Sequence, residues 1–371
     1  MANNSNLGAA KAAKNDEFYT QYADIQKEIN AYLEYNPDTF RDKTVLLPCD
    51  DPEWSNFTRF FAQNFERLGL KRLISTSYAV ESKKYKDYEP TLFETESDWF
   101  DPDRTRICGK IFELTRDTNQ NGRIDIDDLE WHYLEGDGDF RSPEVCTLRD
   151  QADIIVTNPP FSLFREFLAW IMDGKKGFLI IGGMNAVSYK EVFPLIKENL
   201  VWLGTCSNVT MEFSIPMEYE KWDRIENGQK YGKVPSITWF TNLEHGRRHT
   251  PLLLMSLHDN IRFSKHDDIR KRGYVKYENY DAIDIPYTDA IPNDYDGAMG
   301  VPITFLGKYC PEQFVIIGHP HGDYGTELGL KPFPRELKAL NKGLRDGDLY
   351  YLDENGNPEL PYRRILIRKK Q

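Results

Sequence analysis

Short, unbroken apolar runs constrain this chain more than any other feature. Thr44-Val45-Leu46-Leu47-Pro48-Cys49, Asp153-Ile154-Ile155-Val156-Thr157 and Gly177-Phe178-Leu179-Ile180-Ile181 are too brief for helices and have no polar face. A strand that is apolar on both sides must be covered on both sides, as in a mostly parallel sheet between helices. The intervening segments supply the helices. Phe18, Tyr22, Ile25, Ile29 and Leu33 recur in steps of three and four, with Asp16 as the expected N-cap. Trp54, Phe57, Phe61, Phe65 and Leu68 repeat that spacing, with Pro52 near the first turn and Gly69 closing the end. A β-type run at 72–80 completes a strand–helix–strand unit. Further helices are expected near 163–172 and 188–199, and strands at 236–243, 252–257 and 314–317.

The expected architecture is α/β: a doubly wound, Rossmann-like sheet over residues 16–245, after a small, polar, flexible tail at 1–15. From 246 to 371 helical periodicity fades, and an α+β, loop-rich region is expected. Basic clusters stand in it at Arg247-Arg248, at Arg270-Lys271-Arg272 and near the C-terminus. The chain as a whole is acidic, with 47 Lys and Arg against 59 Asp and Glu, a net charge of −12. A protein that coats nucleic acid non-specifically would be basic, so a polyanion must meet a local basic surface here. The five cysteines are scattered without a CxxC pair, which argues against a disulfide framework and a zinc site, and no metal is expected. With no secretory h-region at the start and no membrane-length apolar run, the expectation is a soluble, cytoplasmic protein. A monomer is compatible with all of this.

In an open α/β sheet the ligand site lies beyond the carboxyl ends of the strands. Cys49-Asp50-Asp51-Pro52, Gly138-Asp139-Phe140 and Asn158-Pro159-Pro160-Phe161 are the polar signatures expected there. The last is the most informative. Two prolines fix φ, remove two donors and restrict the preceding residue, which makes a rigid ledge of carbonyls with one amide side chain and an aromatic ring beyond. Asn-Pro is also a common turn dipeptide. Following a buried strand in a βαβ context, the ledge suits a specific chemical problem. An exocyclic nucleobase amine is a poor nucleophile because its lone pair is delocalised into the ring. Hydrogen bonds from its N–H groups to Asn158 and a proline carbonyl would make the nitrogen more tetrahedral and aim the lone pair at a methyl donor. Phe161 would stack on the flipped base. No metal is required.

At this point the chain resembles the N6-adenine DNA methyltransferases, and within them the EcoRI-type modification enzymes. The resemblance rests on Asn158 to Phe161, on Asp16-Glu17-Phe18-Tyr19-Thr20, on Pro48 to Pro52 with Ser55-Asn56-Phe57, and on 136–142, 238–242 and 294–302. It runs from about residue 16 to the end in an order resembling the gamma arrangement. It implies S-adenosylmethionine as methyl donor, an adenine in double-stranded DNA as acceptor and a possible cognate restriction endonuclease. Tyr19, Thr20, Pro48, Asp50, Asp51 and Asn56 would hold the methionine part of the cofactor. Asp139 would accept from its adenine amine, with Phe140 packing on the ring, and Tyr78 is among the residues that could meet its ribose. The first loop departs from the glycine-rich turn of most methyltransferases, as EcoRI-type members do. Arg247, Arg248, Arg270, Lys271 and Arg272 become phosphate contacts, and the region from 246 onward the reader of the DNA target.

Asp117 to Asp128 matches an EF-hand-like loop, but the favoured reading is a β-hairpin pairing 110–115 with 124–133 across Asn121-Gly122. His319-Pro320-His321 reads as a turn, Cys49 as a packing residue and the aromatics of 54–65 as core. Two rival functions use the same features. A protein glutamine-N5 methyltransferase poses a similar nitrogen problem without needing a large C-terminal reader. A non-catalytic DNA-binding protein of this fold would not need Asn158 and Phe161 together.

Overall fold

The apolar runs form the middle of a large mixed sheet. In the computed structural model, residues 18–370 are described, apart from 49, 51–54, 80–94, 96, 98, 218 and 341–342. They fall into two compact units: one of residues up to 186 with 201–246, the other of 187–200 with 247 onward.

The strands of the first unit are β1 (Tyr19–Thr20), β2 (Thr44–Leu47), β3 (Arg72–Ser77), β4 (Lys110–Leu114), β5 (Glu130–Tyr133), β6 (Ile154–Thr157), β7 (Gly177–Gly183), β8 (Trp202–Leu203), β9 (Val209–Ile215), β10 (Arg224–Glu226) and β11 (Gln229–Thr241). Their order is β1-β9-β11-β7-β6-β2-β3-β4-β5, with β8 and β10 also on β11. Among the described residues of this unit, the parallel pairs are β3–β2, β2–β6 and β6–β7; β2, β6 and β7 coincide with the three apolar runs and β3 with the β-type run at 72–80. Every residue of β2 and β6 is buried, as a strand covered on both faces requires. Antiparallel strands flank this centre, so the sheet is mixed and not mostly parallel. Local connections are the cause: β10 turns into β11 through Asn227-Gly228, both at positive φ, the signature of a two-residue hairpin.

Three expectations at the edges need correction. The first helix spans Tyr22–Tyr35 with Gln21 at its N-cap, not Asp16, because Tyr19 and Thr20 are drawn into the sheet opposite Ser214 and Phe213. The second splits into Asn56–Gln63 and Phe65–Leu68, capped by the Ser55 hydroxyl at one end and by left-handed Gly69 at the other. β4 and β5 do pair, but loop 115–129 joins them in place of a tight Asn121-Gly122 turn. The aromatics Phe57, Phe60, Phe61 and Phe65 are buried, each stabilising by roughly 1.5–3 kcal/mol over an exposed side chain.

One buried carboxylate fastens the helix to the far side of the sheet. Glu28 accepts from Thr205 N, Thr205 Oγ1 and Cys206 N, each at 2.7 Å. Glu28→Gln replaces one acceptor with a donor that faces donors. It should lower stability by about 2 kcal/mol, read as a reduced urea midpoint at unchanged slope.

The second unit has its own sheet. Its strands are β12 (Ala282–Asp284), β13 (Ala298–Pro302) and β14 (Phe314–Gly318), the small pair β15 (Tyr351–Leu352) and β16 (Pro358–Glu359), and β17 (Arg364–Lys369). The order β12-β13-β17-β14 makes four strands among the described residues. A buried pair, Arg364 with Asp284 at 2.8 Å, ties β17 to β12. Residues 252–256 are not a strand. Gln313 bonds both backbone groups of Leu252, Asn293 bonds the Leu254 and Met255 carbonyls, and Ser256 caps the helix Leu257–Phe263. The segment 188–199 holds only a short helix, Phe193–Lys197, and belongs with this second unit. No described helix is long and apolar enough to cross a membrane.

Candidate active site

Parallel strands send their carboxyl ends to one edge of a sheet, and the loops after β2, β3 and β6 meet there. Asp50, just beyond β2, is their junction. Its Oδ1 accepts from the Ser55 hydroxyl at 2.8 Å, and its Oδ2 lies 2.5 Å from the Thr157 hydroxyl at the end of β6. Ser75 of β3 donates to the Asp50 carbonyl. Thr157 also sits 2.9 Å from the Pro48 carbonyl, and Ser55 accepts from Phe57 N to cap the next helix. The carboxylate is buried and held by these scaffold hydroxyls. Cys49 and Asp51 lie outside the described residues.

Asn158 follows Thr157 directly. Its Nδ2 donates to the carbonyl of Phe18 at 2.7 Å, while its Oδ1 is buried without a hydrogen-bond partner among the described residues. The Pro160 carbonyl accepts from Leu163 N at 2.9 Å, which starts the turn Phe161–Leu163 leading into the helix Phe164–Asp173. The half-buried Phe161 ring meets the rings of Phe18 at 5.6 Å and Phe213 at 6.4 Å. Tyr19 and Thr20 lie on β1 beside it. Asn56 spends its Nδ2 on the Thr20 carbonyl at 2.8 Å. The Thr20 hydroxyl is a second buried polar atom without a hydrogen-bond partner among the described residues. Two such orphans beside one strand-end edge fit a polar ligand that the protein alone does not supply.

On the other flank, the loop 136–139 is pressed against the end of β3. Ala79 N donates to the Asp137 carbonyl at 2.8 Å. Gly138 has φ +86°, and a Cβ there would lie 2.3 Å from the Ser77 carbonyl, so the approach needs glycine. This brings half-buried Tyr78 and Asp139 to the same strand end. The guanidinium of Arg141, hydrogen-bonded to Asp139 at 2.6 and 2.9 Å, holds its carboxyl below the usual carboxylate range against the opposing effect of burial. Phe140 is fully buried, its ring 5.0 Å from Phe167 and 5.6 Å from Trp170.

The model of the adenine-specific methyltransferase EcoRI family matches residues 6–370. The chain belongs to that family. It is 39% identical over 375 residues to the Type II methyltransferase M.EcoRI of Escherichia coli, covering 100% of this chain and 98% of that protein. Two mycoplasmal Type II methyltransferases are each 34% identical over 98% of this chain: M.MgeORF184P of Mycoplasma genitalium, 98% covered, and M.MpnI of Mycoplasma pneumoniae, 97% covered. No solved structure matches.

This EcoRI-family methyltransferase carries its basic clusters in the second unit, mostly in ion pairs. Arg270 and Lys271 both face Asp267, and Arg272 lies 3.1 Å from Glu354. Arg248 is buried and bonds Asn199 at 3.1 Å, while Arg247 is exposed. In the loop 115–129, Asp117 accepts from Asn121 N and Gly122 N, and Asp128 from Thr118, Asn119 and Asp125 N–H groups. His321 N donates to the His319 carbonyl in a tight turn, and burial pushes the His319 imidazole down to about 4. Sequence reasoning missed Ser75, Thr157 and Phe213 as parts of the site. Phe18 and Ser55 lay within recognised motifs, but nothing in the sequence joins Phe18 to a residue 140 positions away or Ser55 to Asp50.

Proposed function

We propose that this DNA methyltransferase moves a methyl group from S-adenosylmethionine to the N6 amine of an adenine flipped out of duplex DNA. The observation that carries the reading is the Asn158 amide, with its donor end occupied and its acceptor end buried and unpartnered. An N6–H group would fill that vacancy, and the Pro159 carbonyl is the second acceptor, since Pro160's is used by Leu163. Both hydrogen bonds strengthen as the nitrogen becomes tetrahedral, which is where binding energy accelerates a reaction. Phe161 stacks on the base.

Bound S-adenosylmethionine supplies an electrophilic sulfonium methyl. With its N–H groups held by Asn158 and the Pro159 carbonyl, the N6 lone pair would be aimed at that methyl, the sulfur would keep the S–C bonding pair, and the proton lost from N6 would pass to solvent. Thr20, Tyr19, Pro48, Asp50 and Asn56 would hold the methionine part, together with Asp51. The ionised Asp139 would suit an amine donor, and Tyr78 would border the ribose. Phe140, inside the aromatic packing, would support that surface from beneath. The sheet of the first unit is read as Rossmann-like, with the second unit from 247 onward as target reader. The enzyme would be the modification arm of a restriction–modification system, with a cognate endonuclease as partner. Tritiated cofactor should label duplex DNA as N6-methyladenine and leave protein glutamine unlabelled. Label in protein alone would overturn the reading.

Phosphate contacts from Arg270, Lys271 and Arg272 must compete with Asp267 and Glu354. Neutralising all three should weaken duplex binding and reduce the salt slope of log K by about 2 to 3, with cofactor affinity unchanged. An unaltered slope would assign the three cations to their carboxylates alone.

A further inference from the structure

We infer that Phe18 is a positioning residue for methyl transfer: its main-chain carbonyl fixes which end of the Asn158 amide faces the substrate. The inference rests on the reading of Asn158 given above. An amide side chain has a donor end and an acceptor end of nearly equal size, and rotation by half a turn exchanges them. Presented with the wrong end, an adenine amine would meet another amine, and two donors would face each other. The sequence of the ledge does nothing to prevent this, because both proline nitrogens lack hydrogen. The Phe18 carbonyl, 2.7 Å from Nδ2, does prevent it, since only the NH2 end can bond to it. Oδ1 is thereby left buried and without a partner among the described residues.

The carbonyl is itself well held. Tyr19 and Thr20 pair with Ser214 and Phe213, and Asn56 bonds the Thr20 carbonyl at 2.8 Å. The buried Phe18 ring packs against Phe213 at 5.6 Å, Tyr219 at 5.9 Å and Phe161 at 5.6 Å. The same residue therefore braces the stacking ring of the motif while orienting its amide.

Asn158→Asp in the full-length enzyme separates the two ends of the amide. Aspartate keeps an acceptor for the adenine amine, but the ionised carboxylate cannot donate to Phe18. Above neutrality, kcat on duplex DNA should fall about 100-fold with the KM for S-adenosylmethionine little changed. As the pH is lowered the carboxyl gains a proton, its O–H can donate to Phe18, and its carbonyl oxygen still accepts. The activity of Asn158→Asp relative to the unaltered enzyme should therefore rise as the pH falls. Among the described residues the titratable neighbours are Asp50 beside Thr157, Tyr19 on β1 and Tyr219 against Phe18. All are common to both proteins, so the ratio of the two profiles reports the substitution.

Full activity of Asn158→Asp above neutrality would overturn the inference, because an acceptor alone would then suffice. Absence of recovery at low pH in a folded protein would overturn it too, while leaving Asn158 essential. Near-normal turnover by Asn158→Ala would instead overturn the underlying reading of the site. If melting shows Asn158→Asp unfolded, the ring decides. Phe18→Leu, which keeps β1 packed, should retain most of kcat, and Phe18→Ala should lose about tenfold in kcat with cofactor KM preserved. Equal kcat in Phe18→Ala and the unaltered enzyme would remove Phe18 from the mechanism.

Discussion

Asn158→Ala is expected to cut kcat for adenine methylation by about 100- to 1000-fold while leaving the melting temperature and cofactor affinity close to normal. The side chain is only half-buried, and its one observed bond, to the Phe18 carbonyl, is made at the edge of the sheet. Removing it frees a carbonyl that solvent can reach through the space left behind, so the structural cost is about 1 kcal/mol. The catalytic cost is larger because the lost acceptor matters most when the adenine nitrogen has become tetrahedral. Phe161→Ala should behave differently. Stacking on a base is sequence-tolerant and worth about 1 to 3 kcal/mol, so its loss should mainly raise the KM for DNA and shorten the life of the flipped state. Tritium transfer under single-turnover conditions, with cofactor binding measured by calorimetry, separates the two. Turnover by Asn158→Ala within a few fold of normal would refute the assigned chemistry.

The centre of the first sheet was legible because burial on both faces leaves an unmistakable trace in sequence. β2, β6 and β7 stand where the apolar runs do, and the proline ledge follows β6 directly. The flanks were not legible to the same degree. β9 and the first part of β11 are half-exposed strands with mixed composition, and β10, the hairpin partner of β11, has only three residues, whereas the buried 237–241 of β11 fall within the strand expected at 236–243. The Asn227-Gly228 pair was the available signal for that hairpin. The first helix begins at Tyr22 although its apolar spacing extends back to Phe18, because pairing with β9 outcompetes one more helical turn. Tertiary contacts of this kind override local propensity. The same holds within the site. Local sequence singled out Asn158 and Phe161, whose proposed roles rest on their neighbours in the chain. It could not identify Ser55, Ser75 and Thr157 as partners of Asp50, since ordinary hydroxyl residues acquire that role only when the strand ends converge.

Asp50 is where that convergence has the largest consequence. The resemblance implies that it helps to hold the methionine part of the cofactor, where a carboxylate suits the ammonium, and its carboxylate also receives Ser55 and Thr157, its carbonyl Ser75. Asp50→Ala removes two charge-assisted hydrogen bonds from a buried position, each worth about 1.5 to 3 kcal/mol, and should destabilise the protein by about 3 to 5 kcal/mol. The loop after β2 would loosen with it, and cofactor binding should fall below detection. That variant alone does not separate scaffold from ligand contact, and Asp50→Asn does. Ser55 and Thr157 hydroxyls can rotate to accept from an amide as readily as they donate to a carboxylate, so the scaffold should survive at a cost of about 1 kcal/mol. The negative charge would not survive. If the charge of Asp50 helps to hold the ammonium of S-adenosylmethionine, affinity should drop more than tenfold in a protein of near-normal melting temperature. Normal affinity in Asp50→Asn would make Asp50 a strand-end clasp only, and would move the ammonium to another carboxylate of the same loop, for which Asp51 is the neighbouring choice.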